Sequence, residues 1–487
     1  MSGALAPGRP LRFAVIGAGM AGILSAIKLK QAGHDFTVYE KADRVGGTWR
    51  ENTYPGLSCD VPSHLYSYSF ALNPEWSRTF SPGPEIQSYF ERVARDHDVL
   101  RFVRFGDEVT SCEYVDGRWV LSTASGHQDV VDIVIAATGV LHHPKYPEIE
   151  GLDSFKGAMF HSSRWDHSVA LERSRIGIVG TGSTAIQITA GVIGRVKRLE
   201  LFQRTAQWVM RIENPQYSEE QIEDWRADPR TLEELHANLA TMFDGFSGAV
   251  VDAESAQMKA VEEACRSNLE DHVTDPELRE RLRPNYRAGC KRLIISCDFY
   301  DAIQKPNARL VTETIERVEP RGVLTSDGVL HELDVLVLAT GYKVDAFMRP
   351  MTIVGEGGRT LEEAWAPRPE AYLSISIPGF PNFFMLNGPN GPVGNFSLIE
   401  VAELELGYVM QLVSRLQAGD CDGICASREA LDEFEAARLE ASKATVWATG
   451  CKSWYLDDRG VPAVWPWPFQ RFREEMAAPK LEAYELR

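Results

Sequence analysis

Apolar positions along the chain fall into short runs that punctuate the sequence in a repeated order. Arg12-Phe13-Ala14-Val15-Ile16 passes through Gly17-Ala18-Gly19-Met20-Ala21-Gly22 into Ile23, Ala26 and Ile27 at helical spacing. This predicts strand, glycine turn and helix. Phe36-Thr37-Val38-Tyr39 predicts the next strand, ending at Glu40. The order returns at Ile176-Gly177-Ile178-Val179, which leads into Gly180-Thr181-Gly182-Ser183-Thr184-Ala185 and another helical stretch. Two buried-strand runs, Val130 to Ala137 and Leu333 to Leu338, end in Thr138-Gly139 and Ala339-Thr340-Gly341-Tyr342. The shared Ala-Thr-Gly ends read as chain crossings between two domains, with ordinary strand ends in turns as the alternative. Phe383 to Leu386 predicts one more strand, and a long helix begins near Ser397.

In each glycine turn the spacing has a physical reading. Gly17 permits the tight turn, Gly19 lets a pyrophosphate approach the backbone, and Gly22 lets helix pack closely on strand. Glu40 lies about 20 residues further on, where a carboxylate accepts hydrogen bonds from a ribose diol. The second unit offers Gly180, Thr181, Gly182 and Ser183, but at the matching offset it carries Arg204 and Thr205 in place of a carboxylate. An arginine there pairs with a 2′-phosphate. The first site therefore reads as FAD and the second as NADPH, although glycine spacing alone is also met by two nicotinamide sites. The fold class is α/β, with two Rossmann-like dinucleotide-binding domains and a helical insertion in the NADPH domain. A linker-like stretch from Pro144 to Gly151 sets the expected division. Residues 1–150 and 345–487 form a discontinuous FAD domain, 151–213 and 284–344 the NADPH domain, and 214–283 the insertion.

From Glu213 to Arg283 there are 18 acidic and 7 basic residues. Leu232, Leu235, Leu239 and Met242 recur there at helical spacing and are expected in a core, while Asp275-Pro276 reads as a helix start. This solvated acidic face carries most of the chain's net charge of −18, which excludes a nucleic-acid partner. With 487 residues, 44% hydrophobic and 25% charged, the chain has globular composition and ample core. No apolar run approaches the roughly 20 residues of a membrane span, and the first one leads into a glycine turn, so a soluble, cytoplasmic protein is expected. The eight cysteines are scattered and are expected to be reduced, and the eleven histidines show no metal spacing. No metal is expected.

Further residues carry a family resemblance. Phe155-Lys156-Gly157-Ala158-Met159-Phe160-His161-Ser162-Ser163-Arg164-Trp165-Asp166 matches F-x-G-x-x-x-H-x-x-x-W-[PD], just before the second glycine turn. Gly46-Gly47-Thr48-Trp49, Tyr54-Pro55-Gly56 and Asp60 match a second, longer motif. With both glycine turns and the Ala-Thr-Gly ends, the chain resembles the type I Baeyer-Villiger monooxygenases over nearly its whole length.

The resemblance implies an NADPH- and O2-dependent enzyme that inserts one oxygen beside a ketone carbonyl through a C4a-peroxyflavin, giving an ester or lactone. It places Arg292, in Gly289-Cys290-Lys291-Arg292, as the catalytic arginine, Asp60 as its carboxylate partner, and Lys291 at the 2′-phosphate with Arg204 and Thr205. It assigns Gly47, Thr48, Trp49 and Asp60 to the flavin site and makes His161 couple NADPH-domain movement to catalysis. Phe155 and Trp165 are expected between domains, with Gly157 allowing a turn. The Ser453-Trp454-Tyr455 ending and Trp465-Pro466-Trp467-Pro468 depart from the ending associated with cyclic-ketone enzymes. Two other readings stay open: a flavin monooxygenase that oxidises nitrogen or sulfur, and an FAD- and NADP-binding redox sensor without productive oxygenation.

Overall fold

A computed structural model of the chain describes residues 10–394 and 396–487. Its frame is a pair of five-stranded parallel sheets. In the first sheet the strands lie in the order Phe383–Met385, Ile133–Ala136, Arg12–Ile16, Asp35–Glu40 and Val103–Phe105. Phe13 and Val15 enter one buried cluster, and Ala14 and Ile16 enter another on the opposite face. A strand covered on both faces has no polar alternation, which is why Phe13 to Ile16 reads as an unbroken apolar run. The second sheet orders Ala308–Val311, Arg198–Phe202, Arg175–Val179, Val335–Leu338 and Ala158–His161. Both are Rossmann-like units, each with its glycine turn at the C-terminal end of a central strand, where open α/β sheets bind ligands.

The first sheet is completed only after the second has been built. Two crossings run side by side, with Lys145 N–H donating to Gly341 O at 2.8 Å, Lys343 N–H to His143 O at 2.9 Å, and Thr340 Oγ1 to Lys145 O at 2.6 Å. Phe383–Met385 then pairs with Ile133–Ala136, with Phe384 opposite Ile135.

Some expectations need correction. Val130 to Ala137 is not one strand: Gln128–Val131 belongs to an antiparallel meander and Ile133–Ala136 to the parallel sheet. The switch occurs at Asp132, whose carboxylate accepts from Arg12 N–H at 2.9 Å and Arg118 Nε at 3.2 Å. The acidic stretch folds into helices Glu219–Ala227, Pro229–Val250, Ala256–His272 and Pro276–Arg281. Asp275 caps the last by accepting from Glu277 N–H and Leu278 N–H. Leu232 is buried and Leu239 packs against the core, but Met242 is 59% exposed, although the same helix buries Ser247, Ala249 and Val250 further on. Among the described residues, no helix is long and apolar enough to cross a membrane.

The helix Leu398–Ala418 closes the unit of the first sheet and carries a fully buried carboxyl, Glu405. Burial pushes its pKa up to about 8, although Asn387 N–H donates to Oε2 at 2.6 Å and opposes the rise. The unfolded chain releases this proton near the ordinary 4.5, so folding retains a proton between those values and stability is lost as pH rises through them. Relative to a Glu405→Gln variant, the wild-type melting temperature should therefore fall as the buffer moves from about pH 5 to about pH 9. A difference between the two proteins that does not vary with pH contradicts this.

Candidate active site

At the first glycine turn two glycines are demanded by the fold itself. Gly17 has φ +101°, and a Cβ there would stand 2.6 Å from Ala137 O; at Gly22 a Cβ would stand 1.8 Å from Gly17 O. Gly19 is different: its backbone is extended, and a Cβ would make only an ordinary 3.5 Å contact with Gly47 Cα. In the second turn Gly180 has φ +116° and sits against Ala339 O, whereas Gly182 is extended and faces open space. Neither packing nor conformation explains Gly19 or Gly182. Both leave room for the close approach of a pyrophosphate.

Around the first turn, Glu40 Oε2 accepts from Ala18 N–H at 2.7 Å and Oε1 from Ala42 N–H at 2.9 Å. Each oxygen retains a lone pair for a sugar hydroxyl. Gly46 N–H donates to Ala18 O at 3.0 Å, which brings Gly47 and Thr48, at the start of the short helix Thr48–Glu51, against the turn. Trp49 Nε1 donates to Tyr66 Oη at 3.1 Å.

Beside the second turn, Thr181 Oγ1 donates to Thr205 O at 2.8 Å, and Ser183 begins the helix Ser183–Val192. Arg204 is exposed, and Lys291 Nζ lies 4.8 Å from the centre of the Tyr286 ring. Burial and the nearby Arg204 charge both lower the Lys291 pKa. Among the described residues no carboxylate pairs with either cation. Two neighbouring cations without a counter-ion are the donor set that a 2′-phosphate dianion requires.

His161 is buried at the crossing. Ser163 N–H donates to its Nδ1 at 3.2 Å, so Nδ1 is the acceptor and Nε2 donates to Gly341 O at 3.0 Å. Burial lowers its pKa, partly offset by the Gly341 carbonyl, and keeps the ring neutral. Trp165 packs against Phe160 in a cluster that also takes in Tyr54 and Leu57 from the other unit, while Asp166 is exposed and accepts from Ser168. Phe155, expected between domains, packs inside the second unit with Val179, Phe202 and Leu336. Gly157 serves close approach and not a turn: a Cβ there would meet Asp334 O at 2.4 Å. The Tyr54-Pro55-Gly56 stretch rests on the helix after the second glycine turn, with Tyr54 Oη donating to Gln187 Oε1 at 2.9 Å and a Gly56 Cβ barred by Gln187 O.

Asp60 lies four residues beyond Gly56, and it meets Arg292. Nε donates to Oδ2 at 2.8 Å and Nη2 to Oδ1 at 2.5 Å, a bidentate pair, while Nη1 donates to Gly394 O. Burial disfavours the Arg292 charge, but Asp60 and the adjacent Tyr455 more than offset it and hold its pKa above the ordinary arginine value. The guanidinium is thus a permanent, fixed cation, fed by three segments: 60, 292 and 394.

This geometry can be set beside known proteins. The family described as flavin-binding monooxygenase-like matches residues 11–243. An uncharacterized monooxygenase of Mycobacterium tuberculosis is 47% identical, over 99% of this chain and 97% of its own. A Baeyer-Villiger monooxygenase of Streptomyces coelicolor is 40% identical, over 98% of this chain and 92% of its own. The chain belongs to the type I Baeyer-Villiger monooxygenases. Among solved structures, cyclohexanone monooxygenase from Rhodococcus sp. Phi1 bound to NADP+ superposes with a TM-score of 0.87 at 29% identity, covering 98% of this chain and 100% of that one. The family consists of FAD- and NADPH-dependent enzymes, and the two unexplained glycines and the unpaired Arg204 and Lys291 fit those two nucleotides.

Several features of this Baeyer-Villiger monooxygenase escape sequence reasoning. Cys290 and Cys451, expected as free thiols, form a disulfide with Cα atoms 6.2 Å apart, and it ties the Lys291-Arg292 segment to the C-terminal one. No spacing rule links cysteines 161 residues apart. Tyr455 Oη, buried beside Arg292, and Gly394 likewise reach the site only through tertiary packing. After iodoacetamide blocking under non-reducing conditions, mass spectrometry should recover the Cys290 and Cys451 peptides linked. Recovery of both as carbamidomethyl peptides contradicts the pairing.

Proposed function

We propose that this monooxygenase converts a ketone, NADPH, O2 and a proton into an ester or lactone, NADP+ and water. Bound FAD, once reduced by NADPH, supplies the activation of dioxygen. The observation that carries the reading is the bidentate seating of Arg292 on Asp60 at the meeting of the two nucleotide units. A guanidinium that stays charged and is already oriented stabilises negative charge on the oxygen about to be transferred and on the ketone oxygen it attacks, with no reorganisation cost during the reaction. Asp60 supplies that orientation.

In the same proposal Gly17, Gly19, Gly22, Gly47, Thr48 and Trp49 hold FAD, with Glu40 on its ribose. Gly180, Thr181, Gly182 and Ser183 receive the NADPH pyrophosphate, and Arg204, Thr205 and Lys291 its 2′-phosphate. Residues 1–150 and 345–487 act as the FAD domain, 151–213 and 284–344 as the NADPH domain, and 214–283 as the insertion. His161, bonded to Gly341, with Trp165 links the NADPH unit to the crossing, so that its position follows the nucleotide. Closure of the two units excludes water, which would otherwise divert oxygen to hydrogen peroxide.

Two outcomes test these assignments. With a panel of cyclic, linear and aryl ketones plus a sulfide and an amine, mass spectrometry should find a product one oxygen heavier than a ketone, and Arg292→Ala should cut ester formation by about 100-fold or more while NADPH still reduces the flavin. Sulfoxide or N-oxide alone, peroxide alone, or undiminished ester yield in Arg292→Ala overturns the proposal. Removing the two cations with Arg204→Ala and Lys291→Ala should raise KM for NADPH by about tenfold or more each and leave KM for NADH nearly unchanged. An equal rise for both nucleotides contradicts the 2′-phosphate assignment.

A further inference from the structure

Tyr455 is fully buried, yet its phenol oxygen has no well-aligned hydrogen bond. Buried hydroxyls are ordinarily paired, and an orphan in a native fold calls for a specific reason. Its surroundings supply one. A Cβ on Gly394 would stand 2.3 Å from the phenol oxygen, so the hydroxyl lies against the residue whose carbonyl accepts from Arg292 Nη1. The phenol and the guanidinium are close enough for each to shift the other's proton affinity. Arginine has five N–H donors, and the contacts with Asp60 and Gly394 engage three of its nitrogens once each. Two donors remain for an acceptor and a reacting oxygen.

The segment is also held in register with the arginine. Tyr455 packs against Trp454 and Trp447 with ring centres 4.3 Å and 5.5 Å away, and Ala463 N–H donates to Tyr455 O at 2.8 Å. Cys451, four residues before it, is bonded to Cys290, two residues before Arg292. The covalent tie therefore joins the two backbones whose side chains meet.

We propose that Tyr455 is a positioning residue for Arg292, its phenol oxygen accepting from one uncommitted guanidinium N–H and so directing the other toward the reacting oxygens. The inference rests on the proposed role of Arg292. It gives the C-terminal segment a direct hold on the catalytic cation. Residue 394 is glycine both because its φ is +99° and because a side chain there would displace the phenol.

The test compares Tyr455→Phe with wild type and with Tyr408→Phe, a control that removes a different buried phenol, the one paired with Tyr484. Tyr455→Phe should keep its melting temperature and its anaerobic rate of flavin reduction by NADPH. Its kcat for ester formation should fall about tenfold with KM for the ketone little changed, and the lost turnover should appear as hydrogen peroxide. Independently of turnover, the Arg292 Nε–H signal of ¹⁵N-arginine-labelled protein should exchange with solvent about fivefold or more faster in Tyr455→Phe than in either comparison protein. Unchanged ester kinetics, or a loss shared by Tyr408→Phe, overturns the inference, as does unchanged exchange. If wild type makes no ester from any ketone, the proposed reaction fails, and the exchange measurement alone then decides whether Tyr455 holds the arginine.

Discussion

The Asp60–Arg292 ion pair is the contact through which the two nucleotide units become one site. Its partners are 232 positions apart, and neither sits on a sheet strand. Asp60 reaches the pair because Tyr54 and Gly56 seat the preceding stretch on the helix of the other unit, and Arg292 reaches it because the chain returns there from the acidic helices. Both side chains are partly desolvated. Removing one partner of such a pair strands the other, at a cost of about 3 kcal/mol where burial is substantial. The pair therefore ties the two units together and holds the cation to which the proposed reaction gives the catalytic role.

What the glycine turns contribute follows the same logic of close approach. Gly17, Gly22 and Gly180 are glycines because the backbone leaves no room for a Cβ, whereas at Gly19 and Gly182 the protein itself makes no such demand, which suits the proposed nucleotide binding. The nearby Arg204 and Lys291 repel each other. In the proposed function nucleotide binding relieves that repulsion, and the bond from His161 Nε2 to Gly341 O ties the strand Ala158–His161 to the crossing.

Much of this was legible in the chain because the informative features are local. A strand, a glycine turn and a helix occupy about 20 consecutive residues, and each apolar run covered on both faces stands out against its polar flanks. The fingerprint around His161 and the motif ending at Asp60 are local as well. Illegible features depend on residues far apart. The strand boundary at Asp132 goes with its bonds to Arg12 and Arg118, the exposure of Met242 depends on which elements pack on the long helix, and the Cys290–Cys451 bond on the fold bringing the C-terminal segment home. Gly157 was read as a turn because sequence cannot show Asp334 O pressing on it.

The most direct test of the account is a double-mutant cycle on the central pair. Ester formation would be measured in wild type, Asp60→Asn, Arg292→Ala and the double variant, each normalised to its own rate of flavin reduction. If Asp60 acts by seating the Arg292 guanidinium, the double variant should be no worse than Arg292→Ala alone, a coupling of at least about 1 kcal/mol. Losses that multiply, with Asp60→Asn as damaging in the absence of the arginine as in its presence, would contradict the claim that the two residues work as one unit.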